Sequence, residues 1–247
     1  MPFEGFVASD FEKVTLSQGE SFTFPEEAFV KDAVVKIELT WKSRLLPKPV
    51  DLDLAAIMLD KNGYVNCIED LVYFNSMHRW KTDEPIGSPE FNAVNGRVSN
   101  REDENCSLAE WFEDTLPLSL DGAVIGSWDD RGDEEADNDG FVESEERMHV
   151  IFRKFNPRYS KIAIITSVAM EDLHLFKFKD VFAPVVRVLD AVNDRVLAEY
   201  ALNAQFGEFN GVCLGYLEFD GMSCKFVAGD KGYNGGMMAI ANSFVRR

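Results

Sequence analysis

Two groups of carboxylates carry most of the chemistry this sequence offers. The denser lies in GSWDDRGDEEADNDGFVESEERMHV, residues 126–150. Eleven Asp and Glu side chains fall between Asp121 and Glu146, with Arg131 the one basic residue among them. Inside this run, Glu135-x-Asp137-x-Asp139-Gly140-x5-Glu146 follows the spacing of an EF-hand calcium loop, with Glu in place of Asp at the first position. Calcium takes about six to eight hard oxygens, and a sharp turn at the glycine lets alternate side chains converge. A true EF-hand also needs a helix on each side, and GAVIGSW before and RMHVIFRKF after both read as strands. What remains is a calcium loop between strands, weighed against a solvated acidic run. The second group is Asp51 and Asp53 in PVDLDLAA. Residues i and i+2 of a strand share a face. Two like charges beside an apolar run are costly unless a cation or basic partner lies between them. The plainer reading is an exposed strand end.

An Asp-x-Asp pair with Mg2+ can also serve a metal-dependent hydrolase or phosphotransferase, as nucleophile and acid. That chemistry favours a parallel sheet with crossover helices, which the sequence lacks. A third possibility is a binding sandwich whose acids only solubilise it. His78, His149 and His174 are scattered and are assigned no catalysis, with His149 expected on the polar side of a strand. Gly232, Gly235 and Gly236 lack a following Gly-Lys-Ser/Thr and read as a closely packed turn. Cys67, Cys106, Cys213 and Cys224 show no zinc spacing and read as free, buried thiols in a reducing compartment.

The elements that must position these acids read as strands. DAVVKIELTW alternates with period two, placing Val35, Ile37, Leu39 and Trp41 on one face. LDLAAIMLDKNGYVNCI reads as a hairpin turned at Asn62-Gly63 in type I′ geometry, and DLVYFN continues the sheet. Residues 76–120 are polar and aperiodic and read as an inserted loop, except that Ser107 and Glu110 have capping-box spacing and predict a short helix from Ser107. After the acidic run, RMHVIFRKF puts Met148, Val150 and Phe152 on one side, and KIAIITSVAM reads as a strand buried on both faces. EDLHLFKFKDVF fits a short helix or an irregular connection. Turns at Asn193-Asp194 and Asp220-Gly221 join two further hairpins. About nine or ten strands joined as hairpins predict a mainly β protein, an antiparallel β-sandwich with few short helices.

The 247 residues, 46% of them hydrophobic, suffice for one sizeable core, so a single domain over 1–247 is expected, with a segment inserted at about 76–120. A formal charge of −18 argues against nucleic acid and anionic lipid as primary partners. The N-terminal stretch lacks a signal-peptide pattern, and no window is long and apolar enough to cross a membrane, so a cytoplasmic location and no membrane insertion are expected.

Several segments together resemble the TerD family of tellurium-resistance and stress-response proteins. VTLSQGESFTFPEEA is similar to its opening, VKIELTW to its second strand, and VDLDLAAIMLDKNGYV to its Asp-x-Asp motif. DGAVIGSWDDRGDEE resembles the segment leading into the family's Gly-Asp-Asn calcium loop, and SEERMHV its closing acidic cluster. PVVRVLDAVNDRVLAEYAL and CKFVAGDKGYNGGMMAI resemble its last strands and Gly-Tyr-x-Gly-Gly ending. The resemblance implies a non-enzymatic β-sandwich that binds one or two calcium ions and works with other proteins of a stress-response complex. The implied ligands are Asp51 and Asp53, Asp129 and Asp130, and Glu145 and Glu146. Asp137 and Asp139 are held as a possible extra site. Trp128 stands where the family has Gly, and the loop from Arg131 to Ser144 is longer than usual.

Overall fold

The computed structural model describes residues 5–6, 11–30, 33–81, 96–126, 136–202, 204–221 and 223–246. Along the chain run β1 (Val14–Leu16), β2 (Ser21–Thr23), α1 (Glu27–Val30), β3 (Val34–Arg44) and β4 (Leu52–Asp60). Then come β5 (Leu71–Val72), β6 (Arg79–Lys81), β7 (Arg97–Ser99), α2 (Leu108–Glu113), β8 (Leu116–Pro117) and β9 (Val124–Ile125). The second half is made of β10 (Phe141–Ile151), β11 (Tyr159–Val168), β12 (Val181–Asp190), β13 (Arg195–Ala201), β14 (Gly211–Asp220), β15 (Ser223–Tyr233) and α3 (Gly236–Ser243).

Two six-stranded sheets form, in the orders β1-β13-β12-β3-β10-β9 and β2-β15-β14-β11-β4-β5. Pairing is antiparallel throughout both, except that β1 runs parallel to β13. The alternation read in β3 is what builds the core. Ile37, Leu39 and Trp41, with Met148, Val150 and Val188, meet Leu52, Leu54, Met58, Ile164, Leu214 and Phe226 of the other sheet. The protein is therefore an antiparallel β-sandwich with few short helices.

The apolar run of β11 needs both its faces covered. Ile162 and Ile164 enter the central core, while Ala163 and Ile165 pack with Ala55, Ile57, Leu59 and Ile240 under α3. Among the described residues, one end of the outer face of the first sheet carries an apolar cover. There a three-stranded sheet, β7-β6-β8, sets Trp80, Leu116 and Leu118 on Val34, Ile125 and Ile151.

This small sheet corrects the expectation of an aperiodic loop over 76–120. Its order comes from a buried cation that periodicity cannot reveal. Arg79 is 1% exposed. Its Nε donates to Thr115 Oγ1 at 2.6 Å, and its two other nitrogens donate to the carbonyls of Phe74, Ser76, Phe112 and Thr115. The guanidinium also lies 4.4 Å from the Phe112 ring centroid, and burial lowers its pKa to about 10. The predicted capping box is present, with Glu110 N donating to Ser107 Oγ and Ser107 N to the Glu110 carboxylate.

The Asn62-Gly63 turn also differs from expectation. Gly63 has φ +81°, but Asn62 is not among the residues of positive φ, as type I′ would require. Asp60 Oδ1 accepts the amides of Asn62 and Tyr64, and the chain then leaves the sheet, with Val65 bridging to Val245 just after α3. The strand beside β4 is instead β5. EDLHLFKFKDVF resolves into two short 3-10 turns, Met170–Asp172 and Phe178–Asp180. Among the described residues, no helix is long and apolar enough to cross a membrane.

Candidate cation-binding end of the sandwich

The described candidate carboxylates lie towards the end of the sandwich where β3 leaves the first sheet and β4 enters the second. The crossing is tied to both. Trp41 Nε1 donates to Val50 O at 2.9 Å, Val50 N to Ser43 Oγ at 3.0 Å, and Ala169 N to Asp51 O at 3.0 Å. Asp51 is half-buried just ahead of β4, and Asp53 is buried within it, opposite Ser167 of β11. Because Leu52 and Leu54 face the central core, alternation places Asp53 on the α3 side of the second sheet, with Ala55 and Ile57.

The turn before β10 joins the same end, since Leu45 N donates to Gly140 O at 3.2 Å. Asp137 organises this turn. Its Oδ1 accepts the amides of Asp139 and Phe141, both at 2.9 Å, and Gly140 supplies a φ of +81°. The Phe141 amide above all, with the Asp139 amide and Lys42, holds the Asp137 carboxyl below the usual carboxylate range. One oxygen of this predicted ligand is thus occupied by its own backbone.

The EF-like spacing does not produce EF-like geometry. From Phe141 onward the chain runs extended, so Glu146 lies roughly 16 Å along the strand from the turn at about 3.3 Å per residue. A calcium loop must instead curl its last ligand back to its first. Glu145 and Glu146, consecutive in β10, point to opposite faces. Glu145 is exposed on the outer face, 3.5 Å from Arg147, while Glu146 is 5% exposed, on the face that carries Met148 and Val150. One ion cannot take both side chains from the same side of the sheet. Asp129 and Asp130, with Asp133 and Glu135, lie outside the described residues. Among the described residues, no three His, Cys, Asp or Glu side chains form a group that could hold a metal.

The residue that sequence reasoning missed is Lys42. The β3–β10 register sets it directly opposite Glu143, with which it makes a close ion pair, and Asp137 Oδ2 lies 3.9 Å away. Both carboxylates, Glu143 first, raise the Lys42 pKa. Period two predicts that Lys42 faces outward, but the cross-strand register is not legible locally. Beside it runs a shallow groove of about 600 Å³, with Thr40, Glu145, Val185 and Arg187 in its lining. Its β12 wall is shaped by a bulge between Phe182 and Val185, where Ala183 adopts φ +46°.

Three other expectations are settled by packing. The Gly235 and Gly236 amides are taken by Asn210 Oδ1, at 2.9 and 3.2 Å, and a side chain at Gly236 would collide with Leu173. This is the packed turn that was expected. His149 does lie on the outer side of β10, yet it is 6% exposed rather than solvated. Burial first, then Lys36 and Arg147, lower its pKa to about 3. All four cysteines are free, but only Cys213 and Cys224 are buried, while Cys67 is exposed.

The model of the TerD domain family matches residues 117–244, from β8 through α3. The matched segment includes β10 and its preceding turn and leaves out β3, β4 and the Asp51–Asp53 pair. The crystal structure of SAV2460, a protein of unknown function, is 18% identical, with a TM-score of 0.52 over 88% of this chain and 100% of its own. A homologue of the telluride resistance protein TerD from Streptomyces coelicolor is 14% identical, with a TM-score of 0.47 over 85% of this chain and 96% of its own. No curated protein matches the chain.

Proposed function

We infer that this chain, which belongs to the TerD domain family, is a non-enzymatic, calcium-binding stress-response protein. Its ion would be held at the end of the sandwich where β3 hands over to β4. What supports this reading is that separate acidic segments lie towards that end. Asp51 lies just ahead of β4 and Asp53 within it, while Asp137 and Asp139 sit in a turn hydrogen-bonded to the β3–β4 connection. Glu145 and Glu146 lie in β10, which packs against β4 across the core. Hard carboxylate oxygens on a chain of charge −18 suit a calcium ion better than a soft-ligand metal.

The described carboxylates fit the donor chemistry without closing a shell by themselves. In this reading Asp51 and Asp53 supply the core of the site and Asp129 and Asp130 complete it, whereas Glu146, on the core face of β10, lies on the other side of the second sheet from Asp53. Calcium would neutralise this end, giving other proteins of a stress-response complex a defined surface in the cytoplasm. Titration calorimetry tests the reading. Wild-type protein should release or absorb heat with calcium, and Asp51→Ala/Asp53→Ala should not. A flat titration with the folded wild type contradicts it.

A further inference from the structure

We propose that two copies of this chain pack as a symmetric dimer through the outer face of the first sheet, at the end away from the small sheet. The contact is independent of the calcium reading.

The face carries a ridge and a groove side by side. The ridge is Phe141, Arg44 and Phe182, from β10, β3 and β12. The two rings meet edge to face at 5.0 Å, and the Arg44 guanidinium lies 5.5 and 5.9 Å from their centroids. Phe182 is 37% exposed. Back along β3 from Arg44, Thr40 and Val185 line the shallow groove, with Glu145 on its β10 side. The bulge in β12 serves both features. In a regular strand Phe182 and Val185 would point to opposite sides, yet here both stand on the outer face.

A ridge beside a groove is what a two-fold axis needs, because each copy then offers both halves of the same contact. With the axis in the interface plane, crossing the strands at Lys42, the ridge of one copy lies over the groove of the other. Phe182 then faces Val185 of the partner subunit, and Arg44 faces Glu145 of the partner subunit. Charge supports this pairing. Among the described residues, Arg44 has ring contacts and no ion pair. The Glu145 side chain is 44% exposed, with Arg147 at 3.5 Å. The face also suits a second copy of a chain of charge −18. Lys42 is paired with Glu143 and Arg187 with Glu38, so the copies meet where charges are already matched rather than where acid faces acid. Arginine and aromatic side chains are enriched at the centres of such interfaces. The patch runs about 20 Å along β3 from Arg44 to Glu38 at about 3.3 Å per residue. That extent is at the low end for a specific interface, so a Kd on the order of 10⁻⁵ M is expected.

Sedimentation equilibrium of the full chain with calcium chelated tests the proposal. The wild type should pass from monomer to dimer mass around that concentration. Arg44→Glu sets acid against acid at both halves of the interface, and Glu145→Arg sets base against base. Each variant alone should dimerise at least about tenfold more weakly. An equimolar mixture of the two should recover the dimer, because each altered side chain then meets its complement and each unaltered one its native partner. Phe182→Ser, which leaves the charges alone, should also weaken the dimer. A wild type that stays monomeric at about 10⁻³ M overturns the proposal. So does a dimer left intact by Arg44→Glu or by Phe182→Ser, or a mixture that stays monomeric although circular dichroism shows both variants folded.

Discussion

In the small sheet that covers one end of the first sheet, the Arg79 guanidinium is buried and satisfied by five neutral oxygens. At the opposite end, around Phe141, the exposed carboxylates of Asp137 and Glu143 stand around the ammonium of Lys42. The sealed end completes its charge bookkeeping within the chain, through donors and acceptors fixed by packing. At the open end the described acids Asp137 and Glu143 share Lys42 on the surface. The first arrangement holds the small sheet together, and the second is where the proposed ion would add its charge.

The largest effect that tests this contrast belongs to Arg79. Arg79→Leu leaves the carbonyls of Phe74, Ser76, Phe112 and Thr115 without that donor and should cost about 3–5 kcal/mol. That corresponds to a fall in Tm of roughly 10 °C for a chain of this size. Thermal unfolding should show the same loss with and without calcium, and a rescue by calcium would break the contrast. His149 sharpens the sealed end next. The fold accepts its neutral form, with a pKa lowered to about 3 from 6.5. The unfolded chain therefore takes up a proton that the folded chain refuses, and stability falls as pH drops below 6.5 toward 3. The slope from this group approaches about 1.4 kcal/mol per pH unit. Urea unfolding of the wild type and His149→Gln between pH 7 and about pH 5 should show the slope shrinking in the variant.

Smaller effects are expected where capping is local. Asn210→Ala frees the Gly235 and Gly236 amides at the start of α3 and should cost about 1–2 kcal/mol, read as faster amide exchange in that helix. Asp137→Ala, at the open end, removes an exposed turn cap and should cost no more than about 1 kcal/mol by thermal unfolding in calcium-free buffer. A much larger loss there would mean that the turn is as closely built as the sealed end.

What was legible in the sequence follows the same division. Period-two alternation identified the inner face of β3, and the unbroken apolar run of β11 announced a strand covered on both sides. The capping box from Ser107 was readable because its partners are three residues apart. The small sheet was not, because its organiser is one arginine whose partners come from the β5–β6 connection, α2 and the residue between α2 and β8. The EF-like spacing misled for a physical reason. Residue types at set intervals describe a calcium loop only if the backbone curls, and here the strand begins at Phe141 and carries Glu146 away. The strand period that was recognised around His149 already implied that Glu145 and Glu146 must part to opposite faces. Lys42 stayed hidden because the register that sets it beside Glu143 comes from pairing strands about a hundred residues apart.

The central claim is that the open end holds calcium through Asp51 and Asp53. Titration calorimetry of calcium into the wild type and into Asp51→Ala/Asp53→Ala, with folding of both checked by circular dichroism, tests it most directly. The account predicts saturable heat in the wild type and none in the variant. Equal heats in both, or none in a folded wild type, would contradict it.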